Sequence, residues 1–213
     1  MRKHLSTIVV GLLILVVTAA CAPGKVALSR VEKNAVIDLN PTGPSGPITN
    51  PGTFNINTPN NGCVRGSGQR NGCVRFTANE DGTIIFALNG NSPPRTCDQN
   101  ASRVISKIQF TATDAEGDPD SQPSAKGDFG SSSYPLAEEF KTEGFPALNV
   151  DTGIVYEGTD NNPAKNKVVI ENKNASKVTN PVGRIIWYQV TVKKCSADAY
   201  WVTDPRIEND GMK

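Results

Sequence analysis

The stretch that decides the fold is 184-RIIWYQVTVKK-194. Its side chains alternate along the chain, with Ile186, Tyr188, Val190 and Val192 on one side and Trp187, Gln189, Thr191 and Lys193 on the other. Successive side chains of a β-strand point to opposite faces, so this period of two predicts a long strand with one face in a hydrophobic core.

Shorter segments with strand character occur from residue 74 onward, at 74–78, 83–88, 104–113, 147–150, 154–157, 167–171 and 199–203. About seven short strands separated by turn residues predict an all-β fold, namely an immunoglobulin-like antiparallel β-sandwich. The turn Asn79–Gly82 predicts a hairpin between the strands at 74–78 and 83–88, with Gly82 free to take a positive φ.

The first twenty residues have the pattern of an export signal. Two basic residues precede the apolar run Ile8–Val17, and 18-TAA-20 leads into Cys21. A charged start, a short apolar segment and small residues at the cleavage site are typical of signal peptides. The arrangement resembles a bacterial lipoprotein signal. This resemblance implies that residues 1–20 are removed and that Cys21 carries a diacylglycerol; an ordinary secretory signal is the alternative.

The resemblance also implies a location. An alanine follows Cys21, and in Gram-negative lipoproteins this pattern implies sorting to the outer membrane. We therefore expect a cell-envelope protein whose membrane contact is its lipid anchor.

Residues 21–60 are rich in proline, glycine, threonine and asparagine. A segment of this composition buries too little apolar area to offset the entropy of ordering it, so we predict a disordered, flexible tether. Within it only Asn34–Leu39 has the pattern of an early strand. The sandwich domain is accordingly expected to span residues 61–213.

Four cysteines follow Cys21, namely Cys63, Cys73, Cys97 and Cys195. An even number in an exported chain predicts two disulfides, for which three pairings are possible. The repeat 61-NGCVR-65 and 71-NGCVR-75 encloses a flexible insert, which favours Cys63–Cys73 and leaves Cys97–Cys195. A zinc site is the alternative, but the sequence has no CxxC spacing.

Composition excludes several function classes. The only histidine is His4, which would leave with the signal peptide, so the mature protein would lack the imidazole that Ser-His-Asp and Cys-His mechanisms require. We predict that the protein is not an enzyme. A small glycan-directed hydrolase using carboxylates is the alternative, with Glu138, Glu139 and Glu143 as candidates. The near-neutral charge predicts no nucleic-acid partner.

An acidic loop is the candidate metal site. Its carboxylates occupy alternate positions, at Asp114, Glu116, Asp118 and Asp120. Carboxylate oxygens are the ligands that Ca²⁺ prefers, and the segment 112–119 resembles inter-strand loops of bacterial cadherin-like and Ig-like repeats. This resemblance implies a calcium-dependent adhesion module, whereas a solvated acidic turn without any cofactor is the simpler interpretation.

The two tryptophans are the candidate binding residues. If Ile186 and Tyr188 point into the core, Trp187 and Trp201 lie on the opposite face, where they would form a flat platform for a sugar ring or a partner. The alternative interpretation places both indoles in the core of the sandwich.

The last forty residues show one further resemblance. The segments 187-WYQVTV-192 and 201-WVTDPRIEN-209 resemble the ending of the DP-EP family of small bacterial proteins, for which no biochemical role is implied. From the sequence we therefore expect a lipid-anchored, non-catalytic binding or structural module that contacts another envelope protein or a glycan.

Overall fold

A computed structural model gives the structure of the protein. It describes residues 31–54, 56, 58–59, 61–63, 71–78, 80–88, 93–111, 140–141, 154–174, 184–203 and 206–209. The strands of this part of the chain are β1 Val31–Leu39, β2 Gly52–Thr53, β3 Val74–Phe76, β4 Glu80–Leu88, β5 Arg103–Thr111, β6 Phe140–Lys141, β7 Ile154–Glu157, β8 Lys167–Asn172, β9 Arg184–Lys194, β10 Tyr200–Thr203 and β11 Arg206–Asn209. A single 3₁₀ turn, Cys97–Gln99, precedes β5.

The strands form two sheets. Sheet I has the order β1-β4-β8-β6. Sheet II is built around β9, which pairs with β5 along one edge and with β10 and β11 along the other. Three further strands extend sheet II, since β7 pairs with β5, β2 with β10 and β3 with β11. The predicted all-β sandwich is therefore confirmed.

The core lies between the two sheets and is filled by alternate residues of each strand. Side chains with 1% exposure or less include Ile37, Ile84, Phe86 and Ile170 from sheet I, and Ile108, Phe110, Ile186, Tyr188 and Val190 from sheet II. The face predicted for β9 is thus the one that lies in the hydrophobic core. Aromatic rings of the two sheets pack against each other. The ring centres of Phe86 and Tyr188 are 5.2 Å apart in an edge-on arrangement, and those of Phe110 and Phe140 are 4.5 Å apart.

Both disulfides have the predicted pairing. Cys63 bonds to Cys73, and both are buried, whereas Cys97 bonds to Cys195 and ties the 3₁₀ turn to the residue after β9. The first bridge closes a short loop and the second a long one. On the chain-entropy model, loops of such lengths contribute roughly 3 and 5 kcal/mol to stability.

The strand pairings are less regular than predicted. Six of the nine pairings in the described sheets are antiparallel, as expected, but β1–β4, β2–β10 and β3–β11 are parallel. Each parallel pair includes one of the first three strands. The chain leaves sheet I after β1, contributes β2 and β3 to sheet II, and returns as β4 beside β1, so β1 and β4 run in the same direction.

The hairpin predicted between 74–78 and 83–88 is wrong. β3 pairs with β11 in sheet II, whereas β4 pairs with β1 and β8 in sheet I. A turn does follow β3, with Glu80 N donating to Thr77 O at 2.9 Å, but it carries the chain between sheets. Gly82 has the expected positive φ, at +149°, inside β4, where a Cβ would collide with the backbone of Lys33 in β1.

The boundary predicted between tether and domain is also wrong, because the strands at 31–39 and 52–53 belong to the two sheets. The early strand expected at 34–39 is longer, and β1 pairs with β4 along all nine of its residues. Its apolar residues are few, but Ala35, Ile37 and Leu39 all point into the core, as do Phe54 and Ile56. Alternate placement of a few apolar side chains is enough for a strand that completes a sheet.

The pairing of β1 predicts a contrast between two adjacent residues. Ile37→Ala is expected to lower the free energy of unfolding by about 2–5 kcal/mol, because it leaves a cavity in the core. Val36 is 42% exposed, so Val36→Ala is expected to change it by about 0.5 kcal/mol or less. Urea denaturation measures both values. Two equally small effects would mean that β1 is not part of the cooperative fold.

Candidate functional site

The face of sheet II that points away from the core carries polar side chains beside the buried Trp187. On β9 this outer face carries Gln189, Thr191 and Lys193, which alternate with the core residues. Neighbouring strands continue it, since Lys107 and Gln109 of β5 lie opposite Thr191 and Gln189. The strand that supplies the centre of the hydrophobic core therefore also supplies the centre of a hydrophilic surface.

A groove of about 740 Å³ runs over this face. Its floor is formed by side chains of β5, β9 and β10, namely Ser106, Lys107, Gln109, Gln189, Thr191, Lys193, Tyr200 and Val202. One rim is formed by Ile48, Thr49 and Pro51, and the other by the segment 157–164. We call this feature the outer-face groove.

The first rim is held to the floor by backbone hydrogen bonds. Gly46 N donates to Tyr200 O at 3.1 Å, and Tyr200 N donates to Gly46 O at 2.7 Å. A turn follows, in which Asn50 N donates to Pro47 O at 2.9 Å. This turn presents Ile48 to solvent with 55% exposure.

The second rim is held in the same way. Gly158 N donates to Ser106 O at 2.9 Å, which fixes the start of the segment to β5, and Ile105 N donates to Lys165 O at 2.8 Å, which fixes its end. Between these points Thr159 and Asn162 exchange backbone hydrogen bonds of 3.0 and 3.2 Å. Both rims therefore have a position over the floor that backbone hydrogen bonds define.

The charges of the groove are of both signs. Lys107 Nζ lies 2.9 Å from Glu157 Oε1 across the β5–β7 pair, and Lys193 Nζ lies 5.8 Å from the centre of the Tyr200 ring. The Tyr200 hydroxyl donates to Asp198 Oδ1 at 2.7 Å, and this hydrogen bond raises the pKa of Tyr200. Asp98 and Asp160 also line the groove.

The long-range disulfide lies at one end of the groove. Asp98, which lines the groove, directly follows the bridged Cys97. On the other side of the bridge, Cys195 N donates to Ser102 O at 3.0 Å. The bridge therefore ties the 3₁₀ turn to the end of β9 beside the floor.

The predicted tryptophan platform does not form. Trp187 and Trp201 are 6% and 4% exposed, so the alternative, that both are buried, is correct in that respect. They also lie on opposite faces of sheet II. Trp201 pairs with the core residue Val192 and shares its face, whereas Trp187 alternates with the core residues of β9 and lies on the outer face.

Trp201 instead fastens the N-terminal segment to the sandwich. Arg103 stacks on its ring at 5.0 Å and donates through Nη1 to Pro41 O at 2.8 Å. Trp201 Nε1 donates to Gly43 O at 3.2 Å. A residue predicted to bind a ligand thus holds part of the predicted tether against sheet II.

Several predicted sites lie outside the described residues: Cys21, the acidic loop with Asp114, Glu116, Asp118 and Asp120, and the carboxylates Glu138, Glu139 and Glu143. Within the residues that are described, no group of three or more His, Cys, Asp or Glu side chains is arranged to hold a metal ion. The described part of the chain also contains no helix long and apolar enough to cross a membrane.

The groove was not predicted from the amino-acid sequence. A signal for its floor was present, because Gln189, Thr191 and Lys193 form the polar phase of a strand whose other phase is apolar. The rims carry no such signal. They are far apart in the sequence, and only the pairing of β10 with the 46–53 region and of β5 with β7 brings them together.

Comparison with protein-family models, with curated proteins and with solved structures found no match to this chain.

The burial of both indoles predicts the fluorescence of the folded protein. Trp187 and Trp201 are the only tryptophans in the chain, so the native emission is expected to be blue-shifted and weakly quenched by iodide. In guanidinium the emission should shift to the red, and iodide quenching should increase several-fold. The variants Trp187→Phe and Trp201→Phe report on each indole separately. Strong iodide quenching of either one in the native state would contradict its burial.

Proposed function

We propose that the protein is a lipid-anchored, non-catalytic binding module of the bacterial cell envelope, and that its ligand lies in the outer-face groove. The observation that carries this proposal is the hydrogen bonding of both rims to the floor strands. Because hydrogen bonds already hold both rims in place, little free energy is lost in ordering the groove when a ligand binds, which favours a role in recognition.

The chemistry of the lining supports binding rather than catalysis. Glu157 is engaged by Lys107 at 2.9 Å, in an ion pair across the paired strands β5 and β7. Amide and hydroxyl side chains make up much of the remaining floor, and such groups position ligands by hydrogen bonds. The hydrolase and calcium-adhesion alternatives rest on residues outside the described part of the chain.

The proposed anchor limits the distance between the sandwich and a membrane. Cys21 precedes β1 by only ten residues, and ten residues span at most about 35 Å when fully extended. The sandwich would therefore stand close to the lipid surface, rather than at the end of the forty-residue tether that composition alone predicted.

The anchor is tested by mass and by fractionation. The protein from native membranes is expected to begin at Cys21 and to carry the mass of a diacylglycerol and an acyl chain. Several buried acyl chains hold a protein stably to a bilayer, since each CH₂ contributes about 0.8 kcal/mol. Cys21→Ser is therefore expected to abolish the lipid mass, whereas Cys63→Ser with Cys73→Ser leaves it unchanged. An unmodified thiol at Cys21 in the native protein would contradict the proposal.

The groove is tested by blocking it from the rim. Thr49 is exposed and lines the groove, whereas Thr53 is exposed on β2 outside it. With the anchor held in detergent micelles, the full-length protein is expected to co-sediment with delipidated envelope fragments. Thr49→Tyr should reduce this binding about tenfold, which corresponds to 1.4 kcal/mol, because the added ring occupies the groove.

Thr53→Tyr is the matched control and should bind as the natural protein does. Thermal unfolding of both variants establishes that each is folded. Binding that is unaffected by Thr49→Tyr, or that is lost equally in Thr53→Tyr, would contradict a ligand in the groove.

A further inference from the structure

We infer that the ligand of the outer-face groove is a neutral oligosaccharide, held through its hydroxyl groups. This inference rests on the proposed function and specifies its ligand. The groove volume of about 740 Å³ falls within the ~300–1,000 Å³ range of sites that enclose a small ligand. A short oligosaccharide fits such a space, whereas a folded domain does not.

The position of the groove disfavours an extended peptide. Peptides that bind to sheets usually add a strand at an edge, where backbone groups are available. The floor of this groove is the face of β5 and β9, and the backbones of these two strands pair with each other along their length. A ligand on this face therefore meets side chains, not a backbone ladder.

Those side chains suit a polyhydroxylated ligand. Gln109 and Gln189 lie opposite each other on β5 and β9, and Thr191 follows two residues along. Gln109 is half-buried, whereas Gln189 and Thr191 are each 6% exposed at the bottom of the groove. An amide both donates and accepts hydrogen bonds, and so does a hydroxyl. A sugar hydroxyl has the same dual capacity, so it can match either kind of group in whichever orientation the floor presents.

The charges of the lining favour a neutral ligand. Lys107 and Glu157 form an ion pair. The remaining formal charges of the lining are of both signs, since Lys193 is positive and Asp98 and Asp160 are negative. A strongly anionic or cationic polymer would meet like charges as well as opposite ones. Ligand recognition is therefore expected to depend on hydrogen bonds, not on net charge.

The rims add apolar contacts. Ile48 and Pro51 stand on one side, and Pro163 and Ala164 on the other. The Tyr200 ring also lines the groove and is partly exposed. The carbon-bearing faces of sugar rings are apolar, and such faces pack against aliphatic and aromatic side chains. The groove thus offers a polar floor and apolar sides, which matches the two kinds of surface on a sugar chain.

The inference is tested by titrating the full-length protein in detergent micelles with defined probes. The neutral probes are maltohexaose, cellohexaose and chitohexaose; the charged probes are hexagalacturonate and chitosan hexamer; a neutral polar decapeptide represents peptides. At least one neutral saccharide is expected to bind ten times more tightly than any charged probe or the peptide. Its Kd should change less than about twofold from 50 to 500 mM NaCl, because salt screens only charge interactions.

Groove variants locate the binding. Gln109→Ala removes a floor amide and Thr49→Tyr blocks the rim, and each is expected to weaken saccharide binding tenfold or more, whereas Thr53→Tyr should not. Thermal unfolding checks that each variant is folded. If Gln109→Ala does not fold, Thr49→Tyr still tests the inference. Saccharide binding that survives Thr49→Tyr would overturn the inference.

Two further outcomes separate the inference from the proposed function. Preferential binding of a charged probe or of the peptide, sensitive to Thr49→Tyr, would overturn the ligand class and leave the groove as a binding site. The same holds if no saccharide binds while binding to envelope fragments remains sensitive to Thr49→Tyr. If the natural protein binds neither the probes nor the envelope fragments, the inference and the proposed function are overturned together.

Discussion

The packing of Tyr188 against Phe86 and its hydrogen bond to Gly72 are the interactions on which the rest of the structure depends. The centre of its ring lies 5.2 Å from the centre of the Phe86 ring in the opposite sheet, and its hydroxyl donates to Gly72 O at 2.7 Å. Complete burial raises the pKa of Tyr188 well above its usual value, and a buried hydroxyl requires a partner. Gly72 has a φ of +76°, and a Cβ there would lie 2.9 Å from Ile56 Cδ1. One side chain therefore joins the two sheets and the loop that precedes Cys73.

The orientation of Tyr188 also determines where the proposed binding surface lies. Because side chains alternate along β9, the packing of Tyr188 and Val190 in the core places Gln189 and Thr191 on the outer face. The hydrophobic driving force that assembles the sandwich thus places polar side chains on the outer face, where Gln189 and Thr191 are largely covered. The Cys97–Cys195 bridge lies beside this face and holds the end of β9. A rigid floor of this kind is what a recognition site needs, because little entropy is lost when the ligand binds.

The N-terminal segment has a structural role that its composition conceals. Five prolines between residues 41 and 59 suggest an unfolded linker, yet Pro41 and Gly43 accept hydrogen bonds from Arg103 and Trp201. The same segment forms one rim of the groove, at Ile48–Pro51. If Cys21 carries the proposed lipid, the anchor and this rim belong to the same N-terminal segment of the chain.

The amino-acid sequence by itself determined the features that depend on local alternation and spacing: the bounds of β9, its core face, the positive φ of Gly82, and the close pairing of Cys63 with Cys73. Tertiary structure alone decided the side on which Trp201 lies, the separation of β3 from β4, and the meeting of two distant segments as rims. The physical reason is that alternation defines the two faces within a strand, whereas the register between strands depends on long-range pairing. A register shift of one residue moves every side chain to the other face, so Trp201 lies in the core because it pairs with Val192.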